Sequence, residues 1–478
     1  MKKQSLLTAE VAAACFGGGA HATNWFQLQG TEPNGIAAPV HVFGFIQPTY
    51  QDTGGSAVNG LGGPAVSYNG AVPKFNEVAP QNTSMRSFNM LRARIAVRGT
   101  VLPISNKIDY FIMAEFGNNS YTGTGSYTPR LTDASVTFNE IPGMRVRVGL
   151  FKTPGPEEIL QGIPDFNYIN FTNVGAQLIQ NQFISGLAYA ASTPAQGVGP
   201  GGYLVNAAPI DAGRDQGVQL FDWFNNGPWQ FAYAAMIGNG APLYANAQSN
   251  TPSYYGRLQE SYIFNHSKGP HQAGVTAWVW DHLGHQALDV GAVSGGTPTG
   301  GFTRQNYTFK RYGVGAQYRS GFMTPGALRV TAEVMRGTGW ILSAAPFSGP
   351  VGGPNCGSAS NSSAALCTET LYPGANNAAV GGYVETGFFV TKHWDLEARY
   401  DQYDRMTNNP GLERIFKTTT LGVQYYISPM ARVTFNYAIN RIDIPHLSAV
   451  GPAAAQQNAS AVASAKDNTI ALQTTLLF

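Results

Sequence analysis

Apolar and polar side chains alternate along most of this chain with a period of two. The stretch NMLRARIAVRG, residues 89–99, puts Arg92, Arg94 and Arg98 at even positions and Leu91, Ala93, Ile95 and Val97 at odd ones. Such alternation describes a strand with two unlike faces. In a soluble sandwich the aliphatic face would be core and the arginines would stand in water. In a membrane barrel the aliphatic face meets lipid and the arginines line a wet lumen.

The rest of the chain favours the barrel. Period-2 runs bounded by turn residues predict about sixteen strands, near 40–50, 86–100, 105–117, 130–139, 143–151, 214–225, 228–238, 254–265, 271–282, 304–319, 326–338, 379–391, 393–404, 414–427, 430–443 and 467–478. Their lengths suit tilted strands that cross a bilayer in roughly 9–11 residues. The connections alternate strictly. Long gaps at 51–85, 118–129, 152–213, 239–253, 283–303, 339–378, 405–413 and 444–466 interleave with tight turns such as Ile141-Pro142-Gly143, Asn226-Gly227-Pro228 and Ser428-Pro429-Met430. Short turns at one end and long loops at the other are the habit of outer-membrane barrels. No internal repeat of the kind that marks a propeller or solenoid is present.

Facing follows from parity. Met144, Val146, Val148 and Leu150 alternate with Arg145, Arg147 and Gly149, and Ile108, Tyr110 and Ile112 with Lys107, Asp109 and Glu115. Trp394, Leu396, Ala398 and Tyr400 alternate with Asp395, Glu397, Arg399 and Asp401. Only 214–225 fits this pattern poorly. The last strand carries Ile470, Leu472, Thr474, Leu476 and a terminal Phe478 on one parity, the expected lipid side. Trp229, Trp394, Tyr425 and Tyr426, near strand ends, read as interfacial girdle.

Composition agrees. Charged residues make up 12% of 478 and aromatic residues 12%, with 57 glycines; soluble domains carry roughly 25% charge. Mean hydropathy is −0.13, and beyond the first thirty residues no apolar run reaches the roughly 18 residues of a membrane helix. The net charge of +2 is spread along strands, so nothing points to nucleic acid.

The first 22 residues read as a signal peptide: Lys2 and Lys3, an apolar stretch over 6–20, and Ala20-His21-Ala22 as the cleavage site. Residues 23–39 then form a short periplasmic segment and 40–478 the barrel. Export leaves Cys356 and Cys367 in an oxidising compartment, within a Gly/Ser-rich loop, where one disulfide is expected.

Several segments resemble the phosphate-selective porins O and P. RVRVGLFKTPGPEE matches that family's G-x-F-K-x-P at Gly149, Phe151, Lys152 and Pro154, followed by Glu157 or Glu158. LRARIAVRGTV followed by IDYFIMAEFG, the closing hairpins LEARYDQYD and LGVQYYISPMARVTFNYAINRID, and the terminal ALQTTLLF are also similar. The resemblance implies a sixteen-stranded homotrimer whose third external loop, here within 152–213, folds inward to constrict the pore. This loop departs from a phosphate-binding one. Between Lys152 and Arg214 it has no basic residue, while Glu157, Glu158, Asp165 and Asp211 are acidic.

The candidate pore-lining residues are Arg92, Arg94, Arg98, Lys107, Glu115, Arg145, Arg147, Lys152, Arg319, Arg329, Arg399 and Arg432. Inward basic residues outnumber inward acidic ones by parity, which predicts a weak anion preference. Arg92, Arg94 and Arg98, with no carboxylate on their own strand, are candidates for solute contact; Arg399, among Asp395, Glu397 and Asp401, reads as a wall strut. The expected partners are outer-membrane lipid and small anions or hydrophilic solutes. No cofactor, metal site or catalytic set is expected: Asp281, His282 and His285 in DHLGH lack a third fixed ligand, and no Ser-His-acid signature occurs. The competing readings are a barrel sheathing a partner such as a cytochrome, or a surface structural protein. A sheath would want a wide lumen without an inward loop, whereas a diffusion channel wants residues 152–213 folded inside.

Overall fold

The computed structural model describes residues 25–28, 39–53, 57–62, 66, 69–70, 86–119, 122, 129–180, 187–190, 203–205, 213–241, 249–265, 271–294, 297–344, 369–464 and 468–478. The expected signal peptide and the Cys356–Cys367 disulfide lie outside the described residues.

Each of the sixteen predicted runs forms a strand. They are β1 (His41–Thr53), β2 (Arg86–Thr100), β3 (Ile108–Glu115), β4 (Arg130–Ile141), β5 (Met144–Lys152), β6 (Arg214–Asn226), β7 (Trp229–Gly238) and β8 (Ser253–Ile263), then β9 (Gly274–Ser294), β10 (Thr297–Arg319), β11 (Leu328–Thr338), β12 (Ala378–Phe389), β13 (Trp394–Arg405), β14 (Arg414–Ser428), β15 (Ala431–Asp443) and β16 (Thr469–Leu477). Each pairs antiparallel with its neighbours in this order. The circle closes where β1 meets β16, at Phe45↔Leu477 through Thr53↔Thr469. Closure removes the unpaired edges that a membrane interior cannot satisfy. At the seam Gly44 and Phe478 exchange backbone hydrogen bonds of 2.9 and 3.0 Å. A Cβ at Gly44 would sit 2.7 Å from the Phe478 ring, so the terminal aromatic needs glycine beneath it.

The two faces of the wall are inverted relative to a soluble protein. Val279, Val314, Val334, Leu421, Phe435 and Leu472 are exposed on the outside, while the arginines and carboxylates of the opposite parity are buried. Strand β6, whose alternation is the weakest in the sequence, conforms over its middle, with Val218 and Leu220 exposed and Gln219 and Phe221 buried; Asp222, on the outward parity, is buried against Arg145.

Three expectations change. The alternation puts Leu91 on the outer face, but the β1–β2 register shifts between Gln47 and Pro48. That bulge switches the facing of the preceding residues. Leu91 is therefore buried, packed with Ile169 and Ala471, and Phe88 is exposed. Tyr426 is likewise buried against Phe389 and Ala327, not part of a girdle; Trp229, Trp394 and Tyr425 are exposed as expected. Finally, 283–303 is no irregular loop. β9 and β10 run for 21 and 23 residues, well beyond a bilayer crossing of about 10, and their register pairs Gly274↔Arg319 through Ser294↔Thr297.

This long hairpin collects strands from other loops. Residues Leu187–Ala190 pair parallel with its β9 arm at Asp289–Ala292. Tyr203–Val205 bridges Leu187–Ala190 to Glu369–Tyr372, which pairs in turn with Ile341–Ala344. The segment after β5 is thus divided. Its distal part joins this added sheet, while residues 153–180 turn into the barrel.

Candidate functional site in the barrel interior

Residues 153–180 are a packed insert. Ile159, Ile163, Phe166, Tyr168, Phe171, Val174 and Leu178 form one buried cluster with Trp278, Trp280, Met335, Tyr383 and Tyr403 of the wall. Burying each large side chain is worth roughly 1.5–3 kcal/mol, so apolar contact alone seats the insert firmly. Room for it comes from the sequence of β10. Trp278 and Trp280 of β9 lie opposite Gly315 and Gly313. Cβ atoms there would fall 2.5 Å from the Trp278 indole and 2.7 Å from that of Trp280.

Those indoles converge on Glu333 of β11. Trp278 and Trp280 Nε1 donate to its Oε1 at 2.9 and 2.8 Å, Tyr383 Oη donates to Oε2 at 3.0 Å, and the Glu157 amide donates to Oε2 at 3.1 Å. A buried carboxylate with four donors is well solvated by the protein. The last donor ties it to the insert.

The insert carries its own charges to the wall. Glu157 opens the short helix α1 (Glu157–Leu160) and accepts from Arg257 Nη2 of β8 at 2.6 Å. Glu158 accepts from the Thr172 amide at 2.8 Å and its hydroxyl at 2.6 Å, and faces Arg399 at 3.6 Å. Burial pushes the Glu158 carboxyl up to about 8, against the pull of Arg399 and the Thr172 bonds. Asn173 donates from its amide and side chain to Asp401 at 2.8 and 2.6 Å. Further along, Asp165 lies 3.3 Å from His271 Nε2. Burial raises the Asp165 carboxyl to about 6 despite Arg432 and Arg319. Burial, reinforced by Arg319, Arg432 and Arg329, holds His271 well below its ordinary value.

Arg94 is not a bare cation: its Nε lies 2.6 Å from Glu115, which also accepts from the Ala93 and Gly117 amides. Arg92 donates to Gln47 at 3.0 Å and its guanidinium lies 5.8 Å from the Phe171 ring of the insert; Arg98 lies 5.3 Å from the Phe43 ring. Arg145 pairs with Asp222 at 3.1 Å over Trp223. Lys152 donates to the Leu160 and Gln161 carbonyls at 3.3 and 2.6 Å, closing the end of α1. Arg329 reaches Asp395 at 3.2 Å and Glu397 at 2.5 Å. Arg399 donates to the Asn170 carbonyl at 2.9 Å, 3.8 Å from Asp401, and Arg432 donates to Tyr426 Oη at 3.3 Å and to the Phe166 carbonyl. Arg147 and Arg319 are also buried. Lys107 departs from the set: it is 54% exposed beside Glu140, at the short-turn rim.

The charge count also changes. Among the described residues thirteen Arg and Lys and thirteen Asp and Glu are buried. The numerical excess of base read from wall parity is matched because the insert supplies Glu157, Glu158 and Asp165, and β6 supplies Asp215 and Asp222, although Glu158, pushed up to about 8, is uncharged at neutral pH. Asp281 and His282 point to opposite sides of β9, and His282 stacks on Tyr255 at 4.1 Å.

Two features escaped the sequence reading. The inward parity of Trp278 and Trp280 was available from Val275, Ala277 and Val279 beside them. Trp25 and Phe26, assigned to a periplasmic segment, are instead buried inside the barrel on Leu160, Phe221, Ala232 and Ala234. No local pattern announces that contact.

At the short-turn end a cavity of about 1130 Å³ opens, edged by Arg432, Asp165, His271, Phe322 and Tyr426.

These features define a closed sixteen-stranded antiparallel barrel of membrane type, apolar outside and ion-paired within. No protein-family model matches the chain, and no curated protein matches it either. Several solved structures are similar in fold. The outer membrane channel DcaP of Acinetobacter baumannii is 12% identical, with 92% of this chain and 97% of that one covered and a TM-score of 0.49. An anion-selective porin from Comamonas acidovorans is 11% identical, with 92% and 99% covered and a TM-score of 0.49. OmpT, an outer membrane protein of Vibrio cholerae in a loop L8 deletion form, is 11% identical, with 92% and 99% covered and a TM-score of 0.48.

Proposed function

We propose that the chain is an outer-membrane porin, a passive diffusion channel for small hydrophilic solutes. The observation that carries this reading is the inversion of the wall: an apolar belt outside, and inside it most of the twenty-six buried Arg, Lys, Asp and Glu side chains among the described residues. Lipid outside and an aqueous path inside make that arrangement stable; water on both sides does not. Residues 153–180 are the proposed constriction, and Arg92, Arg94, Arg98, Glu115, Arg145, Arg147, Lys152, Arg319, Arg329, Arg399 and Arg432 the proposed inner lining, with Lys107 at the mouth. The sheath reading needed a lumen free of inward chain, and this lumen holds residues 153–180.

A weak anion preference belongs to the same proposal, located at the short-turn cavity. There Arg432, with Arg319 in electrostatic reach, outweighs the single carboxylate of Asp165, and His271 is uncharged at neutral pH. A dedicated phosphate site is not proposed: the insert has no base of its own, and the Lys152 ammonium is engaged by two carbonyls. Trimer assembly rests on the motif resemblance, and a monomeric mass by light scattering in detergent would remove it. The test is single-channel recording in planar bilayers. Discrete steps that scale with KCl, without block by millimolar phosphate, are expected. A folded barrel that carries no ions would overturn the reading, and phosphate block would restore a specific site.

A further inference from the structure

Two aromatic residues near the N-terminus lie where a channel's path should run. Trp25 and Phe26, in the short helix Trp25–Leu28, are 2% and 1% exposed. Their site is built from both the wall and the insert. Phe221 of β6 meets the Phe26 ring at a centroid distance of 6.2 Å, and Ala232, Ala234 and Leu160 complete an apolar floor. The small side chains of β7 leave the space that the aromatic rings fill.

Polar groups fix the orientation. Arg147, fully buried, donates to the Phe26 carbonyl at 2.8 Å and holds its guanidinium 4.4 Å from the Phe221 ring. The Trp25 indole N–H donates to Glu157 Oε1. Glu157 is the carboxylate that Arg257 clamps and whose amide bonds Glu333. An aromatic cleft with one donor for a carbonyl and one acceptor for an N–H recognises an aromatic group joined to an amide.

The route to this site starts at the barrel rim. The Tyr110 hydroxyl donates to the Pro39 carbonyl at 2.8 Å. Between Leu28 and Pro39 the chain has about 35–40 Å of extended reach, a length that can join this rim to the interior site.

We infer that the β5–β7 wall and the insert form an interior binding site for aromatic amides, filled in this structure by the chain's own Trp25 and Phe26, which makes the N-terminal segment a displaceable plug. The plug, unlike the site, rests on the channel reading. The Trp25→Ala/Phe26→Ala protein empties the site. Titrated in detergent with N-acetyl-Trp-Phe-amide, it should bind at least ten-fold more tightly than the unaltered protein, and N-acetyl-Ala-Ala-amide should bind neither. Equal binding to both proteins, or none to the variant, would overturn the site. In bilayers the variant should conduct more, and the peptide should restore the lower level. Equal conductance with binding intact would overturn the plug, whereas absence of current in both proteins with binding intact would instead sink the channel reading. Where the double substitution prevents folding, Ala234→Phe fills the space from the wall. Proteolysis of residues 23–38 should then accelerate several-fold, and unchanged protection would overturn the plug.

Discussion

Glu157→Leu isolates the contact that holds the insert. It removes the acceptor of Arg257 at 2.6 Å and leaves that guanidinium, 1% exposed, among Gly155, Gln259 and the Trp278 ring. Breaking a buried pair from one side costs about 3–5 kcal/mol. Arg257 keeps the Gly155 carbonyl at 2.8 Å and Gln259 Oε1 at 2.9 Å, which argues for the low end. Because Glu157 lies on the insert, the cost falls on its seating rather than on the strand ladder. About 3 kcal/mol is roughly a 150-fold shift toward unseated states. Single-channel records should show a wider or noisier open level, and the unfolding midpoint in detergent should fall. The double variant Glu157→Leu/Arg257→Met should recover about 3 kcal/mol, the cost of the stranded guanidinium; the further cost of about 1–3 kcal/mol for the Trp25 N–H left without its acceptor is common to both variants and stays. Unchanged conductance and midpoint in Glu157→Leu, or additive losses in the double variant, would refute the pairing as the anchor.

Glu158, raised from its ordinary 4.5 to about 8, favours the seated insert below pH 4.5, and that contribution is lost as pH rises through 8. The unaltered protein should therefore unseat more readily at pH 9 than at pH 5, and Glu158→Gln should flatten the profile; parallel profiles would contradict the assignment. Asp165, raised to about 6, should lose its charge as pH falls below that value, so anion preference should rise there and become independent of pH in Asp165→Asn. Arg329→Met strands Asp395 and Glu397 without their shared cation and should destabilise the barrel by about 3–5 kcal/mol, read from its denaturation midpoint. Gly315→Ala drives a methyl toward the Trp278 indole at 2.5 Å and should cost about 1–3 kcal/mol and lower refolding yield; a native midpoint would show that the indole moves freely.

The barrel was legible because each wall strand is read by two solvents. One parity faces hydrocarbon and the other ion pairs, so strands such as Trp394–Arg405 announce both faces at once. Leu91 defied the reading because a one-residue bulge reverses parity without any mark in its own stretch. Tyr426 defied it because an aromatic near a strand end suits the girdle and the interior equally. The interior charge balance was illegible from strands alone: Glu157, Glu158 and Asp165 sit on a connection, and only the fold brings them to Arg257, Arg399 and His271. For the same reason Arg94 looked uncompensated, although its partner Glu115 stands directly across the β2–β3 ladder. Trp25 and Phe26 were beyond reach, since nothing nearby in sequence records Arg147 or Phe221.

The central claim is that this barrel conducts through an interior whose charges nearly cancel, with a small surplus of base at the short-turn cavity. The reversal potential under a KCl gradient, recorded for the unaltered protein and for Arg319→Ala/Arg432→Ala, tests it most directly. A weak anion preference that disappears in the double variant is the predicted result. Strong cation selectivity in the unaltered protein, or an anion preference indifferent to both arginines, would contradict it.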